Sequence, residues 1–176
     1  INAGFTLPVL REGGYMAAEM RSIGLKAGEL GLAGYTPKEL KVGGYRAKDL
    51  KAAEFTAAEM KSGGFLAVEM KAVNFSADEL FKNGYNLTEL REGTFLARDV
   101  KPVAVVAFDN PSLMMREAGF DAVAMREVSF SLAELKAGEY TATDLRTAKY
   151  YAHEMRAVGF LAVDLKKANY SPVEIR

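Results

Sequence analysis

Tyr35-Thr-Pro-Lys-Glu-Leu-Lys-Val-Gly-Gly44 is followed without a gap by Tyr45-Arg-Ala-Lys-Asp-Leu-Lys-Ala-Ala-Glu54, Phe55-Thr-Ala-Ala-Glu-Met-Lys-Ser-Gly-Gly64 and Phe65-Leu-Ala-Val-Glu-Met-Lys-Ala-Val-Asn74. The period is ten. Working outward, the phase holds from Phe5 to about Ala104 and resumes from Phe120 to the end, giving about seventeen copies. Fifteen of the eighteen aromatic residues occupy position 1 of the block, so the repeat and not overall composition decides where rings are placed.

Each position has a mechanical reading, and together they describe one short helix with both ends specified. Position 2 reads as the N-cap. Thr56 with Glu59, Ser76 with Glu79, Ser131 with Glu134, Thr141 with Asp144 and Ser171 with Glu174 have capping-box spacing, in which hydroxyl and carboxylate satisfy orphan amides reciprocally. The ring before the cap and the Leu or Met four residues after it form a hydrophobic staple. Phe55 with Met60, Phe65 with Met70 and Phe75 with Leu80 are therefore expected to supply the repeat core. Pro37 and Pro172 fall on the first helical position, and Gly or Asn closes most blocks. Fourteen acids at position 5 and fifteen bases at position 7 suit the helix dipole. Residues two apart do not face each other on a helix, so these charges are not simple pairs within one helix.

A helix this short, roughly 10 Å long, is unstable alone and must be stabilised by stacking. Aromatics at position 1, alanines at position 3 and Leu/Met at position 6 would line a continuous seam, which is the logic of an all-α solenoid. Large apolar residues at positions 1 and 6 also recur every five residues, as in a pentapeptide-like β-helix. The abundance of Ala, Glu, Lys, Met and Leu and the scarcity of polar turn residues favour the helix. Positions 2, 4 and 8 face outward in this scheme and would carry any partner specificity.

The phase slips once. Phe95 and Phe120 lie twenty-five residues apart instead of twenty, with five extra residues around Val105 to Asp109. Pro102 interrupts the block, Val103 to Phe108 is apolar and rich in β-branched residues, and Asp109-Asn-Pro111 signals a turn before a restarted helix. The reading is a first array over 1–104, a phase-breaking loop and restarted helix over 105–119, and a second array over 120–176. Val103, Val105, Val106, Phe108 and Asp109 are the candidate partner contact, because an apolar strip breaking a regular surface offers a place to dock.

The bulk numbers exclude more than they suggest. Lys plus Arg balances Asp plus Glu at 23 each, leaving no net field to attract nucleic acid or an anionic membrane. Cysteine is absent, which removes disulfides, zinc thiolates and thiol nucleophiles. No apolar run reaches the roughly 18 residues that span a bilayer. His153, the single histidine, stands at variable position 4 with no companion, and the position 5 carboxylates are explained by capping. The glycine doublets close helices and lack the strand that a phosphate-binding fingerprint requires. No catalytic, cofactor or metal site is therefore expected. The chain opens at Ile1 and closes at Arg176 in mid-repeat, so it reads as a piece of a longer polypeptide whose apolar seam continues or rests on something else.

Gly64-Phe-Leu-Ala-Val-Glu-Met-Lys71 and Gly34-Tyr-Thr-Pro-Lys-Glu-Leu-Lys41 resemble the Ala-Gly-Phe-Ser-Ala-x-Glu-Leu-Lys decapeptide arrays of algae and other protists. The resemblance covers nearly the whole chain. The departures are the insertion near Val105 and the lost acids at Val9, Met114 and Ala124. It implies a helical-repeat fold and a scaffold or linker role with several protein partners, in a large organellar or photosynthetic assembly and hence a plastid or thylakoid-associated location. The alternative is a module that captures peptides transiently. An enzyme would need clustered departures from the repeat, and none is read in the sequence.

Overall fold

The computed structural model describes residues 4–176, and among them the regular structure is entirely α-helical, without a strand. The helices run in chain order α1 Leu7–Glu12, α2 Ala17–Ser22, α3 Ala27–Leu32, α4 Pro37–Val42, α5 Ala47–Ala52, α6 Ala57–Ser62, α7 Ala67–Lys71 and α8 Ala77–Lys82. They continue as α9 Leu87–Glu92, α10 Ala97–Ala107, α11 Pro111–Glu117, α12 Ala122–Glu127, α13 Leu132–Ala137, α14 Ala142–Thr147, α15 Ala152–Ala157, α16 Ala162–Lys167 and α17 Pro172–Ile175. The chain divides between Tyr85 and Asn86 into two compact units.

Both ends of most helices form as the repeat dictates. All fourteen position 5 carboxylates accept the N–H of their own cap residue, from Glu19 on Met16 at 2.7 Å to Asp164 on Leu161 at 3.3 Å. Where position 2 is Thr36, Thr56, Ser76, Asn86, Ser131, Thr141 or Ser171, its side chain accepts the returning N–H and the box is complete. Where it is Met16, Leu66 or Leu161, only the carboxylate arm exists, since those side chains accept nothing. At the other end, Gly44 turns left-handed with φ +85°; its N–H donates to Lys41 O and the Tyr45 N–H to Leu40 O, each at 3.0 Å. That bond pattern is the Schellman closure. The position 1 residue therefore closes the helix behind it through its backbone N–H.

Packing follows a larger period. Helices pack chiefly against the next helix but one: α2 with α4, α3 with α5, α4 with α6 and α6 with α8 in the first unit, and α9 with α11, α11 with α13, α12 with α14, α14 with α16 and α15 with α17 in the second. Each unit is thus an α-solenoid whose turn is two repeats, or twenty residues. Position 6 lies at its centre: Leu40, Leu50, Met60, Met70, Leu80, Met125 and Leu145 are wholly buried. Each such side chain contributes about 1.5–3 kcal/mol of burial. Phe65 is buried, whereas Phe55 and Phe75 are only half-buried.

Close approach between turns occurs at position 9, a position that carried no signal in the sequence beyond being small. A Cβ on Gly63 would lie 2.6 Å from Pro37 Cβ, and one on Gly43 would lie 2.7 Å from Ala17 Cβ. The partners are again two blocks apart. The tyrosines bridge the same interval, with hydroxyls donating to the position 1 carbonyl twenty residues earlier: Tyr35 to Tyr15, Tyr45 to Leu25, Tyr85 to Phe65, Tyr140 to Phe120 and Tyr170 to Tyr150. Burial raises the hydroxyl pKa of Tyr35, Tyr45, Tyr140, Tyr150 and Tyr170, because the phenolate form would lose its hydration.

Candidate interaction surface

The charged residues are accounted for first, because only those not used in stacking can recognise a partner. Position 7 bases reach forward to the next turn, two blocks ahead. Lys41 Nζ donates to Gly64 O at 2.7 Å and to Glu69 at 2.6 Å, while sitting 4.6 Å from the Phe65 ring centroid. Lys51 meets the Val73 carbonyl and the Phe75 ring, Lys136 the Val158 and Gly159 carbonyls and the Phe160 ring, and Arg146 the Ala168 carbonyl and the Tyr170 ring. One cation thus satisfies the open carbonyls of a helix C-terminus and covers an aromatic face. Position 7 lacks a base at Gly31 and Phe81; beside Gly31 the Phe55 ring lies so close that a Cβ would stand 2.7 Å from it.

The acids at position 5 are equally committed. The Thr56 hydroxyl and N–H hold Glu59 below the ordinary carboxylate pKa, the N–H and hydroxyl of Ser76 do the same for Glu79, and Ser131 does so for Glu134. Hydrogen bonds from Thr36, ahead of the Arg11 guanidinium, lower Glu39. Position 8 is exposed in every block, position 2 in all but Pro111, and position 4 in all but Gly28 and Leu113, these three being half-buried. They carry the diversity: Leu32, Val42, Leu66, Tyr151, Leu161 and Val173 are large apolar groups standing in solvent. His153 is exposed at position 4 and stacks on Tyr151, with ring centroids 5.7 Å apart.

The interruption differs from its expected form. Residues 105–107 are helical and not a loop; α10 simply continues for eleven residues, through Pro102, to Ala107. Pro102 is exposed, on the solvent side of α10. Val103 is buried at 6% exposure and so cannot be a docking residue, whereas Val105 is 51% and Val106 89% exposed. Asp109 is exposed, Phe108 is half-buried, and Asn110 caps α11 by accepting the Leu113 N–H at 3.1 Å while donating to Ala137 O at 2.9 Å. The extra residues therefore present a short apolar ledge of Val105 and Val106 on a rigid helix.

Among the described residues no helix is long and apolar enough to cross a membrane. A family model described as the decapeptide repeat region matches residues 1–55, 34–107 and 113–176. No curated protein and no solved structure matches the chain.

Proposed function

The chain belongs to the decapeptide repeat family, and we propose that it is a structural scaffold or linker that holds several partner proteins along the outward positions of its solenoid, as a peripheral subunit of a larger assembly. One observation carries this reading: the position 5 acids are engaged in capping and most position 7 bases in contacts with the next turn, while positions 2, 4 and 8 are largely exposed and varied. A surface that changes from block to block on a constant frame suits recognition of different partners at different heights. The same commitment of acids and bases to backbone groups supports a non-catalytic chain. The Val105 and Val106 ledge is one expected contact.

Cross-linking mass spectrometry on protein isolated gently from its source tests the proposal. Links from several blocks to a fixed set of partners are expected; a chain that emerges alone, with no link to another protein, overturns it.

A further inference from the structure

Block 25–34 departs from the repeat more than any other in the regular stretch. Leu25 replaces the ring, Lys26 replaces the capping hydroxyl, Gly28 stands at position 4 and Gly31 replaces the base. Leu25, Lys26 and Gly28 line one hollow of about 740 Å³ between α3 and α5, and Arg46 and Lys48 complete its cationic rim, with Arg21 beside it over the Tyr45 ring. Lys26 and Arg46 are the two cations found at position 2 anywhere in the chain, and they stand one turn apart in the same column. Residues 21–51 hold seven Lys and Arg against three Asp and Glu, in a chain whose net charge is zero.

We propose that this hollow binds an acidic peptide segment of a partner protein, with carboxylates on the cationic rim and small apolar side chains on the floor. The proposal rests on the scaffold reading and names one partner chemistry for it. None of Lys26, Arg46 and Lys48 forms an ion pair among the described residues. The two carboxylates nearby are engaged, Glu29 accepting the Lys26 N–H at 2.7 Å and Asp49 the Arg46 N–H at 2.8 Å. The floor comes from Leu25, Gly28, Ala52 and Ala53. A nucleic acid needs a longer cationic track and free rings for stacking, and here the nearby Tyr45 is buried beneath Arg21, 5.8 Å from its guanidinium carbon.

The test is fluorescence anisotropy with a labelled peptide rich in glutamate and leucine, its glutamine counterpart, a single-stranded oligothymidine and phosphatidylserine vesicles. The acidic peptide alone should bind, more weakly as salt rises. Lys26→Glu with Arg46→Glu should weaken it at least about tenfold. Gly28→Leu, whose Cβ would meet Ala53 Cβ at an ordinary 3.6 Å, should weaken it comparably by filling the hollow without altering charge. Lys149→Glu with Lys167→Glu, the same change in net charge at exposed positions of the second unit, should leave binding intact. Absent binding, equal loss in that control, or preference for the oligonucleotide or vesicles overturns the proposal. Cross-linking of the Lys26→Glu, Arg46→Glu chain separates the two readings: partners retained along the remaining blocks leave the scaffold standing whatever happens to the hollow.

Discussion

The regular turns over residues 35–74 and the interrupted stretch over 97–129 solve one packing problem with different lengths of chain. In the regular turns Lys51 reaches Val73 and Asn74, 22 and 23 residues ahead. Across the interruption Lys101 reaches Val128 and Ser129, 27 and 28 residues ahead, and places its ammonium 4.3 Å from the Phe130 ring centroid. The contact is the same and the chain is five residues longer. The stack therefore counts turns and not residues: extra length is tolerated where it extends a helix and leaves the position 6 and position 7 contacts in step.

Deletions put this to its hardest test. Removing Phe65 to Glu69 puts the repeat half a block out of phase inside the first unit, deletes the Phe65 ring and the Glu69 carboxylate that Lys41 meets, and should destabilise that unit by more than about 5 kcal/mol. Removing Val105 to Asp109 restores the ten-residue phase and should change stability by no more than about 2 kcal/mol. Thermal melts followed by circular dichroism read both. Equal damage from the two deletions would mean that stacking does not depend on phase.

The two regions also differ at the close contact between turns. Gly63 meets Pro37 in a well-matched fit, so Gly63→Ala should cost about 1–3 kcal/mol through overpacking. In the interrupted region Gly138 faces Ser112, which occupies the alanine position, is 1% exposed and has a hydroxyl without a hydrogen-bond partner. Ser112→Ala should therefore stabilise the protein, by about 1 kcal/mol. A loss on that substitution, measured by denaturant titration, would show that the hydroxyl is satisfied by bound water.

What the sequence made legible is what is local. Caps, staple and closure all lie within one block, so Thr56, Glu59 and Met60 could be assigned roles from spacing alone. The two-repeat turn could not, because a period of ten residues says nothing of the rotation between successive helices. For the same reason the partners of Lys41 and Lys51 were hidden, although fifteen bases without a partner inside their own helix were a sign that partners lay elsewhere. The insertion was misread as a loop because Pro102 and three valines argue against a helix. Burial of Val103 and Ala104 outweighs those propensities, and Pro102 gives up its hydrogen bond in solvent. The hollow beside Gly28 was not legible in the sequence, because Lys26 and Arg46 lie twenty residues apart and only the two-repeat turn brings them together.

The finest difference between the regions is in how they cap their helices. Regular blocks use a carboxylate, which titrates; α11 uses the Asn110 amide, which does not. Glu39, Glu59, Glu79, Glu134 and Glu174 all have folded pKa values below the ordinary 4.5, owing to hydrogen bonds from their own caps. A lowered folded value means that this stabilisation is complete above the unfolded value and is lost as pH falls through the folded one. Stability should therefore hold from neutrality to about pH 4.5 and decline below it. In NMR titrations the Thr56 and Ser76 amides, bonded to Glu59 and Glu79 at 2.7 and 2.8 Å, should shift with midpoints below 4.5, whereas the Leu113 amide on Asn110 should stay flat. Thr56→Ala with Ser76→Ala should move those two midpoints back toward the ordinary value, because the hydroxyl arm of each box is gone. Midpoints unchanged by that substitution would assign the lowered values to the backbone N–H and the helix end alone.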